Sequence, residues 1–207
     1  MLGNRAILDA IEEGKIVIEP FDPKQLGPNS YDLRLGRWIV RQRSPETIRY
    51  VSTIMTDMEL RWQTQMQEPL LHIPHRDYPP TLWDAPEYIN DGIIRLWPGE
   101  LILAHTEEIV ECHGDIVGEM ASRSTLMRNG IAVCVDAGLG DVGYASRWTM
   151  EIHNFTQRII ELRVGWRIAQ MKFHRVEGVD IDYEQKGGSY GLGEWKPEDM
   201  LPRGNME

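Results

Sequence analysis

Cysteine is scarce in this chain: Cys112 and Cys134 are the two thiols among 207 residues. Two isolated cysteines rule out a disulfide scaffold and suit a reducing compartment. No run of about 18 apolar residues occurs, which excludes a membrane-spanning helix. A basic, apolar, cleavable leader is also missing, so the expected location is cytoplasmic. Positive charge is short as well. The 22 Lys and Arg stand against 32 Asp and Glu, giving a net charge of −10 and a pI near 5.1. General nucleic-acid binding relies on cations that neutralise phosphates, so neither a nucleic acid nor a membrane is expected as a partner. A small anionic ligand fits where arginines converge, and Arg123, Arg128, Arg147 and Arg167 are the candidates.

Missing motifs narrow the chemistry further. Zinc-dependent base deamination needs a His/Cys-x-Glu element together with Pro-Cys-x-x-Cys, and neither cysteine belongs to such a set. No metal-ligand set is predicted, and both thiols read as small core residues. There is no G-x-S-x-G elbow for a Ser-His-Asp triad, and no Walker A or G-x-G-x-x-G element opens a helix.

With 42% apolar residues, the whole chain (1–207) reads as a single domain with a real core. Asn4 to Gly14 predicts a helix, capped by Asn4, striped by Ile7, Leu8 and Ile11, and ended by Gly14. Ile16–Ile18 and the alternating Tyr31, Leu33 and Leu35 predict strands. Residues 41–97 are broken by prolines and predict loops and edge strands, with a helical turn over 58–66. After Pro98-Gly99 six short strands follow: 101–110, 116–120, 131–135, 148–152, 159–164 and 168–176. Many short strands argue for a sandwich or barrel. The stretch from 185, with its run KGGSYGLGEW, is expected to supply little core and to act as a flexible tail or ligand-gated flap.

The densest polar equipment lies between Arg123 and Glu151. The strand period of two puts Arg147, Thr149, Glu151 and His153 on one face. That face is either solvated or the wall of a pocket in which burial and a neighbouring arginine set the Glu151 pKa. The bend AGLGDVGY (137–144) carries Asp141 and Tyr144; its glycines permit a ligand to approach, but they equally suit an ordinary hairpin. RSTLMR (123–128) offers either a phosphate cradle or a surface capping turn. In GWRIAQM, polar Gln170 follows apolar Ile168 along a strand and is a candidate to face whatever lies between the strands.

Taken in order, several stretches resemble the dCTP deaminase family. They are AILDAIEEGKIVIEPFDPKQLGPNSYDLRLG (6–36), PGELILAHTEEIV (98–110), SRSTLMRNGI (122–131), DAGLGDVGY (136–144), MEIHN (150–154) and GWRIAQMKF (165–173). The resemblance implies a mainly β fold, a distorted β-barrel or jelly-roll of the dUTPase-like type, with an N-terminal helix and a flexible C-terminal lid (about 185–207). It also implies a homotrimer with active sites between subunits.

The family's motifs imply roles position by position. Ser124 and Arg128 match residues that line the site near the reacting base, and Arg123 and Thr125 match neighbours that hold phosphate. The Ala137 position helps hold the attacking water through its backbone. Glu151 matches the general base that later acts as acid, and Gln170 a glutamine on the triphosphate. Asp141 and Tyr144 match a motif that meets the sugar, and Tyr190 a tail tyrosine over the phosphates. Asp136 stands where family members commonly have Thr, and Gly193 where a glutamine is usual. The implied reaction is zinc-independent hydrolysis of dCTP to dUTP and ammonia, with Mg²⁺ carried by the triphosphate. Ala137-Gly138 resembles the pair in bifunctional members that release dUMP, so dUTP hydrolysis, coupled or alone, is the second reading. A nucleotide-binding protein without catalysis is the third.

Overall fold

Alternating apolar residues drive most of this chain into antiparallel strands. The computed structural model describes residues 1–42, 83–188, 190 and 194–203. The strands are β1 (Ile16–Glu19), β2 (Tyr31–Arg41), β3 (Glu87–Tyr88), β4 (Ile93–Leu96), β5 (Leu101–Cys112) and β6 (Ile116–Ser122). They continue with β7 (Ile131–Val133), β8 (Leu139–Gly140), β9 (Ala145–Asn154), β10 (Ile160–Arg163) and β11 (Arg167–Arg175). Among the described residues the α-helices are α1 (Asn4–Glu12) and α2 (Ser124–Arg128). The helical turn expected over 58–66 lies outside the described residues.

Nine strands form one antiparallel sheet in the order β7-β9-β5-β2-β11-β6-β8, with β1 joined to β5 and β3 to β2. Strands β4 and β10 make a separate pair. Register shifts break the long strands between Leu35 and Ile39, His105 and Ile109, and Arg167 and Ala169. Irregularities of this kind bend a strand and increase its twist, so the sheet curls into half a barrel. The expected mainly β, barrel-like fold with an N-terminal helix is what forms. The 131–135 strand stops at Val133, because Cys134 takes φ 60° and leaves the extended region.

The inner face carries the core. Tyr31, Leu33, Leu35, Ile102, Met150 and Phe173 are fully buried there, and each such side chain contributes about 1.5–3 kcal/mol by leaving water. Helix α1 closes one side with Ile7 and Ala10. Its cap is Gly3, not Asn4, whose side chain reaches only the Arg5 N–H. The chain enters the helix with the Asn4 N–H already bonded to Pro28 O, so Asn4 lies inside the first turn. Gly14, at φ 70°, ends it as expected.

Two polar groups are built into β5. Glu108 is fully buried and accepts from Arg34 Nε at 2.6 Å, Gln25 Nε2 at 2.9 Å and the Arg34 backbone N–H at 2.9 Å. His105 lies flat against Gly36, where a Cβ would sit 2.0 Å from the ring. Its Nε2 accepts the Trp38 N–H and its Nδ1 donates to Thr106 O, which fixes a neutral tautomer. Burial pushes its pKa down to about 4.

The outer face has a smaller cluster of its own. Val40, Trp83, Leu103 and Met200 are buried together, with Trp195 and Leu201 packed against them. The expectation that the chain beyond 185 supplies little core is therefore corrected at its far end. Trp195 and Met200 are large apolar residues in a polar stretch, and the turn Pro197–Met200 brings them onto the sheet.

Candidate active site

Strand β9 alternates without a break: Ser146, Trp148, Met150, Ile152 and Asn154 are buried, and the residues between them are half-buried. Glu151 is one of the latter, paired across the ladder with Leu103. Its Oε2 is buried and has no hydrogen-bond partner. Burial pushes its pKa above the ordinary carboxylate value, opposed in part by its own backbone N–H. The side chain is therefore half-buried, neither fully solvated nor fully enclosed. The neighbouring arginine is not among the causes of the shift. A carboxyl oxygen buried without a partner, with its pKa raised, marks a candidate proton-transfer group.

Beside it runs the bend. Cys134 donates its N–H to Glu151 O at 3.1 Å, and the Ala137 N–H lies against the Cys134 sulfur. Burial, with the Glu151 charge nearby, pushes the Cys134 thiol up to about 12, so it remains a thiol. Gly138 pairs closely with β6: its O accepts the Met120 N–H at 2.7 Å, and a Cβ would fall 2.2 Å from Met120 O. Gly140 lies on the Trp148 indole, 2.3 Å from where its Cβ would be. These two glycines are explained by close backbone packing. Asp136, Ala137 and Asp141 stay exposed. Tyr144 packs edge-on against Trp148 at 5.1 Å and against Tyr183 at 5.3 Å, and burial pushes its pKa up to about 12.

The arginine motif follows β6. Ser122 Oγ accepts the Val133 N–H at 2.7 Å, and RSTLMR then turns into α2. Ser124, Thr125 and Arg128 point into solvent. Among the described residues neither Ser124 nor Arg128 bonds to Glu151. Arg123 instead joins a second group: Asp32 Oδ2 lies 3.6 Å from Arg123 and 3.3 Å from Arg167. Gln170 donates to Asp32 Oδ1 at 3.4 Å and to Ser30 Oγ at 3.5 Å. Tyr190 stands elsewhere, its N–H on the Tyr183 hydroxyl and its own hydroxyl accepting the Arg203 N–H. One chain thus assembles Glu151 with the bend, and Arg123 with Gln170. It leaves Ser124 and Arg128 apart from the acid.

The dCTP deaminase-like family model matches residues 1–176. The chain belongs to the dCTP deaminase family. A family member from Methanopyrus kandleri, named "dCTP deaminase, dUMP-forming", is 34% identical over 202 residues, covering 92% of this chain and 90% of that one. A Haloarcula marismortui relative named "dCTP deaminase" is 27% identical, covering 100% and 97%. Among solved structures, the 2′-deoxycytidine 5′-triphosphate deaminase of Agrobacterium tumefaciens superposes with a TM-score of 0.57 at 20% identity. It covers 84% of this chain and 48% of that one, and supports the fold.

Within this dCTP deaminase family chain, three site features escaped the sequence reading. Asp32 gathers Arg123, Arg167 and Gln170; its place in the Asn-Ser-Tyr-Asp run was the available signal. Leu103 faces Glu151 across the ladder, which only register reveals. Cys134 left no signal, since its left-handed φ cannot be inferred from a cysteine.

Proposed function

We propose that the protein hydrolyses dCTP to dUTP and ammonia, with Glu151 as the proton-transfer group. The observation that carries this reading is the buried, unpartnered Oε2 of Glu151 beside the Ala137 bend. Glu151 takes a proton from water as its oxygen attacks C4 of cytosine, and passes it to N3. A second proton transfer to the amino group lets ammonia leave and restores the C4 carbonyl. The raised pKa brings this acid nearer to neutrality, which favours both halves of the exchange.

Arg128 and Ser124 orient Glu151 and the water, and the Ala137 backbone holds that water. Arg123, Thr125 and Gln170 take the phosphates, with Mg²⁺ entering as the counter-ion of the nucleotide and thus as part of the substrate. Asp141 and Tyr144 meet the sugar, Asp136 faces the water, and Tyr190 belongs to the tail that closes over the phosphates. Ser124 and Arg128 are exposed in the isolated chain. That exposure supports a homotrimer in which they reach the Glu151 of another subunit; the enzyme works in the cytoplasm.

A second reading has its own support. The Methanopyrus relative is named as dUMP-forming, and Ala137-Gly138 fits that group, so release of dUMP and diphosphate is a coupled alternative. Product analysis with dCTP, dUTP and Mg²⁺ separates the readings. Ammonia with dUTP identifies the simple deaminase, and ammonia with dUMP and diphosphate the coupled enzyme. Diphosphate from dUTP with dCTP untouched overturns the role given to Glu151.

A further inference from the structure

The outer face of the sheet carries a row in register across three strands. Val40 of β2 lies opposite Leu103 of β5, and Leu103 opposite Glu151 of β9. Side chains directly opposed in an antiparallel pair stand about 4.5–5.5 Å apart at Cβ, so Glu151 continues an otherwise apolar row. Val40 and Leu103 are covered by Met200, whose turn lies over β2 and β5. Trp195 packs against His105, ring centroids 4.5 Å apart and tilted by 40°, two residues along β5 from Leu103. The Arg147 guanidinium, on the same face of β9 as Glu151, sits 5.8 Å from the Trp195 ring. Asp199 locks the turn by accepting the Lys196 N–H at 2.8 Å and pairing with Arg203.

We propose that Trp195 and Met200 are positioning residues for Glu151. Docked in cis on Val40 and Leu103, the C-terminal turn closes the side from which water would solvate the carboxylate. The acid is thereby held dry by the chain's own end before any nucleotide arrives. This proposal rests on the reading of Glu151 as the proton-transfer group. The ionisable groups on the surrounding elements are His105 of β5, Arg147 and His153 of β9, Cys134 and Asp136 of the bend, and Asp199 of the turn. None of these is a cause of the Glu151 shift, which burial produces. The clasp also carries a polar cost, because Trp195 Nε1 is buried without an acceptor. A single substitution is therefore expected to release it.

The test is a titration of the full-length protein labelled with ¹³Cδ-glutamate, with Glu151→Gln assigning the resonance. In the wild type Glu151 should titrate above the ordinary 4.5. Met200→Ala and Trp195→Ala should each return it toward that value, and Met200→Leu should preserve the raised one. In parallel, the acidic midpoint of kcat/KM for dCTP should move down in the alanine variants. An unchanged Glu151 titration in a folded alanine variant overturns the positioning role, even if turnover falls. The two positions are separate routes to one readout, so an unfolded variant at one leaves the other decisive. Failure of the deaminase reading looks different: the titration moves as expected while wild-type protein releases no ammonia from dCTP.

Discussion

Two glutamates on adjacent strands meet burial in opposite ways. Glu108 of β5 is fully buried and satisfied by Arg34 and Gln25. Glu151 of β9 is half-buried, yet one of its oxygens has no partner. A paired buried carboxylate serves the fold, because its charge is spent on its neighbours. An unpaired one carries an uncompensated cost that a purely structural residue would not retain. The comparison assigns structure to Glu108 and is consistent with the proton-transfer role proposed for Glu151.

The strongest attempt to break this contrast is Glu151→Gln. Deamination should fall by about 10²–10⁴-fold, while circular dichroism and nucleotide binding by calorimetry stay close to wild type. Arg34→Ala attacks the other member and should cost about 3 kcal/mol in urea unfolding, because Glu108 is left buried and uncompensated. Its effect on turnover should come only through the fraction folded.

His105 tests the same face by pH. Its folded-state pKa of about 4 lies below the ordinary 6.5. The unfolded chain therefore takes up the proton first, and stability is present above pH 6.5 and lost as pH falls toward 4. The loss amounts to about 3 kcal/mol, and urea unfolding of wild type against His105→Gln at pH 7 and 4.5 measures it. The smallest effect concerns Glu151 itself. Its raised pKa favours the protonated form in the fold, so ionisation costs stability as pH rises above the ordinary 4.5. Thermal unfolding should show Glu151→Gln gaining on wild type above that pH and matching it below.

Much of this was legible from local pattern. Strict alternation in RWTMEIH put Glu151 on the face opposite Trp148 and Met150, and β9 keeps that division. Helix α1 and its glycine end followed from spacing, while its cap did not, because the Asn4 N–H is engaged by distant Pro28 O. The site was readable only in part. Glu151 and Ala137 come together through the Cys134 link, but the partner of Glu151 across the ladder, Leu103, and the docking of the chain's end on Val40 and Leu103 were not readable. A polar, glycine-rich tail gives no local sign of docking, since the two side chains that dock are separated by charged neighbours. Register and long-range packing decide such contacts, and neither is written in a window of ten residues.

The contact between Gly36 and His105 carries an evolutionary consequence. The imidazole occupies the space a Cβ at position 36 would need, so the two positions cannot vary independently. Relatives with any side chain at 36 are expected to have given up the ring at 105, and with it the surface against which Trp195 packs. A glycine on one strand thus predicts whether a chain end some 160 residues away has somewhere to land.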